Sequence, residues 1–327
     1  MNSARSQHSA TALMDGRVFI AGGIGENGKV LASSEIYDPE TGKFTPAGNM
    51  AQPRRAHAAV LLVSGRVLLI GGWGTSGPLS SCELYDPFSG NFLPVASMQE
   101  ARGAPRAILL QDKRVLVTGG VDANGSSVAT AEIYNRNGRF GSAGKMSIGR
   151  SYHTATLLPH ERVLIIGGRN GDSVLDSSEI YDAETHRYSP VSSMSVSRYK
   201  HAAVTLSGNE VLVVGGSNGR KKDTAQWTAE IFDIAAQKFD RAVKLINPRV
   251  AIPEPILLPN QKVLVVGSAT ELEMYDPMTR TLTAIKDKLP RALSDQTGTL
   301  LPGGKVLIAG GTDPKHRSTA ETWIYQP

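Results

Sequence analysis

Four histidines, His8, His57, His153 and His201, occupy one position of a recurring pattern. Imidazoles converging on an axis are the raw material of a metal site, and one alone suffices for acid–base work. A second series is Glu-x-Tyr, at Glu35/Tyr37, Glu83/Tyr85, Glu132/Tyr134, Glu179/Tyr181 and Glu273/Tyr275, with Glu230 preceding Phe232. A third is arginine, at Arg5, Arg54, Arg102, Arg150 and Arg198, with Arg249 one place out of register. The lone cysteine, Cys82, adds a possible nucleophile. A catalytic centre is needed once, so a group repeated at the same position of every unit reads as scaffold. Glutamate and tyrosine two apart share a strand face. A buried glutamate needs a partner, and the in-phase arginines are the expected ones. The histidines read as packing residues, since two units carry Pro105 and Pro253 instead. His160, His186 and His316 have no companion at ligand spacing. Cys82 aligns with Ser34 and Ser178 and has no base beside it. No Ser-His-Asp set or phosphate loop is present, and neither a cofactor nor a metal is expected.

The elements that carry these residues are short strands. Double glycines fall at Gly22-Gly23, Gly71-Gly72, Gly119-Gly120, Gly167-Gly168 and Gly215-Gly216, then a degenerate Gly267-Ser268, then Gly310-Gly311, with spacings of 49, 48, 48, 48, 52 and 43 residues. A period near fifty marks stacked supersecondary units. Each unit runs from a small-residue and aliphatic segment through a tight turn to an aliphatic run ending in the glycines. A variable segment, "SEIYDP" and a strand opening on an aromatic residue follow. Valine and isoleucine enrichment with frequent turn residues predicts four β-strands per unit, and no stretch sustains helical periodicity. The units lie at roughly 1–49, 50–97, 98–145, 146–193, 194–244, 245–288 and 289–327, forming a single domain.

The glycine pair, the later tyrosine and the aromatic about seven residues on resemble the kelch repeat. Phrases of the type "LLPxxxVLIxGG" are similar to bacterial kelch chains. The resemblance implies an all-β, seven-bladed β-propeller of four-stranded antiparallel blades, the architecture of the central domain of galactose oxidase. This chain departs from the family in strand four, where Phe44, Phe92, Phe140, Tyr188, Phe239 and Leu282 stand in place of the frequent tryptophan. Met1 is in phase with Met50, Met98, Met146 and Met194, and "AETWIYQP" stops after strand three of the last unit. Two readings follow: a fragment of a longer multidomain protein, or a seventh blade of three strands that is incompletely closed. The N-terminus has no charged-then-apolar leader. An extracellular or periplasmic location fits the fragment reading, and a cytoplasmic one fits the other.

Function must then lie in what varies. The net charge of +5 favours acidic partners. Basic residues are scattered without interleaved aromatics, so nucleic acid is not expected, and no apolar run is long enough to span a bilayer. By resemblance, the channel mouth is lined by the residue after each glycine pair and the residue two after each opening arginine. The first set includes Trp73 and Arg169, and the second includes Gln7, Ala56, Ala104, Tyr152 and Lys200. Trp73, Tyr152, Arg169, Asn170, Lys200 and Arg220 are the candidate ligand-binding residues. Aromatics beside cations suit an acidic sugar or acidic peptide. The expected function is a non-catalytic scaffold that binds a protein or glycan at this mouth. The alternative is a kelch-type enzyme, an epimerase or oxidase, acting on a sugar-like substrate in the same pocket. Non-repeated ionisable residues inside the channel would favour the enzyme.

Overall fold

The computed structural model describes residues 1–207, 209–219 and 225–327. Seven antiparallel sheets are arranged as blades. The first consists of Ser9–Ala12, Val18–Ala21, Ser33–Asp38 and Lys43–Asn49, hydrogen-bonded in chain order. The same order repeats in the blades at 58–94, 106–145, 154–191, 202–249 and 256–288. The seventh blade has three strands, Thr297–Leu300, Val306–Ala309 and Thr322–Tyr325. The first strands of successive blades touch in a closed ring, the seventh blade meeting the first.

Strand two of each blade is an unbroken aliphatic run because the blade is covered on both faces. Val67–Ile70 and Val18–Ala21 are wholly buried, so neither strand alternates. The core accordingly consists of packing between neighbouring blades. Leu110, Ile133 and Met146 of the third blade meet Val163 and Tyr181 of the fourth, and Val18 and Ile20 of the first meet Leu301 and Leu307 of the seventh. The tyrosine and the strand-four aromatic face each other in register, with ring centroids 4.8 Å apart for Tyr37/Phe44 and 5.0 Å for Tyr85/Phe92. The aspartate after the tyrosine shapes the next turn. Asp38 Oδ1 accepts the backbone N–H of Glu40 at 2.8 Å, an Asx-turn bond.

The glycine pair marks where strand two meets the next blade. Gly22 has φ +64°, and a Cβ there would lie 2.3 Å from the Arg54 carbonyl oxygen. Gly23 donates its N–H to that same carbonyl at 2.9 Å. The arginine then turns its side chain into its own blade. Arg54 is fully buried, and its guanidinium donates to the carbonyls of Gly71 (2.8 Å) and Ser81 (3.0 Å) and to Glu83 Oε1 (2.8 Å). Glu83 in turn accepts the N–H of Ala51 at 2.7 Å. Each Arg–Glu unit thus joins the link between blades to the blade it enters.

The expected partnership holds in six blades: Arg5–Glu35, Arg54–Glu83, Arg102–Glu132, Arg150–Glu179, Arg198–Glu230 and Arg249–Glu273, at 2.6 to 3.2 Å. Arg249 makes the same contact despite its apparent displacement, because one extra residue separates it from Gly267. In the seventh blade both partners are replaced. Leu293 takes the arginine's place, its carbonyl accepting the N–H of Ser268, and Trp323 takes the glutamate's place opposite Ile308. The two line one small cavity. Exchanging both members of a buried ion pair for apolar residues avoids an uncompensated charge, which exchanging one would create. The N-terminal segment closes the ring as a link does elsewhere: the Met1 ammonium donates to Ala320 O at 2.9 Å, and Gly311 donates to Arg5 O.

Candidate functional site

The channel mouth rests on one backbone geometry used seven times. Gln7, Ala56, Ala104, Tyr152, Lys200, Ala251 and Asp295, each two residues after an arginine or its equivalent, all have φ between 45° and 54°. This left-handed conformation is unfavourable for residues other than glycine and persists where surroundings over-determine it. Here the surroundings include hydrogen bonds running round the axis. The N–H of Ala56 donates to Gln7 O, Lys200 to Tyr152 O, Ala251 to Lys200 O, Asp295 to Ala251 O, and Gln7 to Asp295 O. All seven residues line a cavity of about 310 Å³ at the centre of the ring. The backbone is constant, while the side chains are not.

Of the candidate residues, Tyr152 and Lys200 line this cavity. The Lys200 ammonium sits 5.5 Å from the Tyr152 ring centroid. Tyr199, which the sequence reading did not select, meets Tyr152 edge-on at 6.4 Å and receives the Arg169 guanidinium at 5.7 Å. Four side chains of the fourth and fifth blades therefore form one aromatic–cation cluster. Asn170 lies beside it in a small hairpin, paired with Ser173. Trp73 stands apart on the second blade, under the Arg55 guanidinium at 5.7 Å and against Gly103. Neither Trp73 nor Arg169 lines the central cavity. They belong to an outer ring in which the residue after each glycine pair bridges the backbone next to the arginine, as Trp73 does with Arg55. Arg220 lies outside the described residues, as do Lys221 and Lys222.

The histidines fasten one blade to the next. His57 Nε2 pairs with Ser9 Oγ at 2.9 Å, His8 with Thr297 Oγ1 at 3.0 Å, and His201 with Thr154 Oγ1 at 3.0 Å. Each thus reaches the first strand of the preceding blade. Burial, aided by the neighbouring arginines, holds His8 and His57 down to about 3, and His153 and His201 well below the ordinary imidazole range. They are neutral at physiological pH. In the sixth blade this position falls on Ile252, with Pro253 one place further, because Ala251 holds the left-handed position. The described residues contain no cluster of three or more His, Cys, Asp or Glu that could hold a metal ion. Cys82 is buried, and burial pushes its thiol up to about 11.

One histidine breaks the pattern and exposes what sequence reading missed. The first-strand hydroxyl that His153 would meet is replaced by Arg106, so His153 Nε2 turns to Thr118 Oγ1 at 2.9 Å. Arg106 anchors its Nε on the His153 carbonyl at 2.8 Å and extends into the channel. In the sixth blade, Pro253 and Pro255 lack the N–H donors of a regular first strand, which shrinks to Ile256–Leu257. Glu254 between them lines the channel. Both charged groups meet channel water but have protein on every side. Desolvation therefore raises the Glu254 pKa against the pull of Arg106, and it lowers that of Arg106. The signal was available in the sequence: these are charges at aligned positions that are otherwise small or neutral.

Seven radial sheets around a narrow polar channel define a β-propeller. Comparison with known proteins finds the Kelch motif at residues 5–51, 54–99 and 150–195. These are the three units that keep arginine, histidine, glycine pair and Glu-x-Tyr together. The chain is a β-propeller that carries kelch motifs. It is similar to beta-scruin of Limulus polyphemus, at 42% identity over 53 residues, and to alpha-scruin of the same organism, at 40% over 53 residues. Each match spans 16% of this chain and only 6% of the scruin. Among solved structures it is similar to a fungal alcohol oxidase of the AA5 family in complex with copper, with a TM-score of 0.78 at 16% identity. That likeness covers 99% of this chain and 74% of the oxidase, and it is a likeness of fold.

Proposed function

We propose that this propeller is a non-catalytic binding module that holds an acidic glycan or acidic protein segment at the channel mouth. The observation that carries this reading is the cluster of Tyr152, Lys200, Tyr199 and Arg169, where two cations lie against two aromatic rings beside an open cavity. Rings of this kind supply rigid contact area, and the cations supply attraction for carboxylates or sulfates. Trp73 and Asn170 extend the proposed surface around the rim; Arg220, the remaining candidate, lies outside the described residues. Among the described residues no helix is long and apolar enough to cross a membrane. The alcohol-oxidase neighbour supports the fold and not an oxidase activity, given its 16% identity. A second reading, an enzyme acting on a sugar-like substrate, has one observation in its favour: Arg106 and Glu254 are ionisable channel residues at non-repeated positions.

The test is a microarray of acidic and neutral glycans and acidic peptides, probed with the wild-type chain and a Tyr152→Ala/Lys200→Ala variant. Saturable binding to acidic probes that falls about tenfold or more in the variant is the expected result. Silence across the array, or equal signals from both proteins, overturns the mouth as the site.

A further inference from the structure

Arg106 and Glu254 stand at two ends of one cavity. They belong to the third and sixth blades, which in a ring of seven lie on opposite sides of the axis, and both line the same cavity. No ion pair or hydrogen bond joins them, and they act on each other only as opposite charges across the cavity. Among the described residues Glu254 has no hydrogen-bond partner, and the terminal nitrogens of Arg106 have none either, Nε alone being engaged. The fully buried scaffold arginines sit within 3.2 Å of their glutamates. Arg106 and Glu254 instead stand open to the channel, at positions where the repeat needs no charge. The rim repeats the polarity, with Lys200 on the fifth blade and Asp295 on the seventh. The cations thus fall on the third and fifth blades and the anions on the sixth and seventh.

From this geometry we infer that the channel binds a small zwitterion, whose carboxylate meets Arg106 and whose ammonium meets Glu254. The cavity of about 310 Å³ is at the small end of ligand pockets. Partly desolvated charges left unpaired cost stability, and a ligand of opposite polarity at each end offsets that cost. A purely anionic ligand would leave Glu254 opposed, and a purely cationic one would leave Arg106 opposed. This site lies inside the channel. It stands whether or not a macromolecule docks on the rim cluster.

The test is calorimetric titration of the full chain with a molecular ruler: glycine, β-alanine, γ-aminobutyrate, δ-aminovalerate and ε-aminocaproate. Hexanoate and hexylamine serve as single-charge controls. One chain length is expected to bind best, and both controls to bind about 10- to 100-fold more weakly, the loss of one charged hydrogen bond. Arg106→Gln and Glu254→Gln should each produce a similar loss of binding. The exchange variant, Arg106→Glu with Glu254→Arg, should recover binding relative to Arg106→Glu or Glu254→Arg alone, because the ligand can reverse. A merely structural role would show no such rescue. The inference is overturned if no amino acid of the series binds better than the controls, or if Arg106→Gln and Glu254→Gln leave binding intact.

Discussion

Glu83→Gln isolates the charge of one scaffold glutamate while keeping its size. In the native protein Glu83 Oε1 receives Arg54 Nη2 at 2.8 Å, and its other oxygen receives the Ala51 N–H at 2.7 Å. Arg54 is fully enclosed, so the substitution leaves a guanidinium without its counter-charge and turns an amide N–H toward groups that are themselves donors. Breaking a buried pair from one side costs about 3–5 kcal/mol. That is a large share of the roughly 5–15 kcal/mol that holds a typical domain folded. The double variant Arg54→Leu/Glu83→Trp copies the seventh blade, where Leu293 and Trp323 occupy the two positions. It removes both charges together and should be less destabilised than Glu83→Gln, although it gives up the bonds from Arg54 to Gly71 O and Ser81 O. Urea unfolding followed by circular dichroism measures all three proteins. If Glu83→Gln stays within about 1 kcal/mol of wild type, or if the double variant is the less stable of the two, the charge-compensation argument is wrong.

Three further predictions concern the same framework. The unfolded chain protonates its histidines near pH 6.5, whereas the folded protein keeps His8 and His57 neutral down to about 3. The unfolded state therefore binds more protons across that window, and stability falls as pH drops from 6.5 toward 3, by up to about 1.4 kcal/mol per pH unit for each such histidine. Melts at stepped pH should show this slope, and His57→Gln should reduce it by one proton; a flat profile in wild type refutes the assignment. Gly167→Ala places a Cβ 2.6 Å from the Arg198 carbonyl oxygen at φ +57° and should cost more than the roughly 1–2 kcal/mol of left-handed strain alone. Gly42→Ala, at φ +68° but in open space, is the control that carries only the strain, and equal melting shifts would remove the role given to close approach. Finally, Cys82 should resist an aromatic disulfide reagent in the native protein and react promptly in urea, since the thiol is buried and held near 11. Fast native labelling would contradict this.

The sequence alone determined what repeats. The four-strand unit, the seven-fold count, the Arg–Glu partnerships and the tyrosine–aromatic pairs were all legible, because each depends on contacts inside one unit or between neighbours in a constant register. The same regularity showed that His8, His57, His153 and His201 are scaffold. The hydroxyls they hold onto, in the blade before, belong to the structure. Tyr152, Lys200 and Arg169 were legible as odd residues at repeated positions, but Tyr199, which completes their cluster, was not, since its role depends on how two adjacent blades turn their loops. Ring closure decided the rest. Arg106 and Glu254 are remote in the chain, and nothing within either unit points to the other. They face each other because seven inter-blade cores bring the first strands around a common axis, and only then does one charge at a small-residue position acquire an opposite one across the channel.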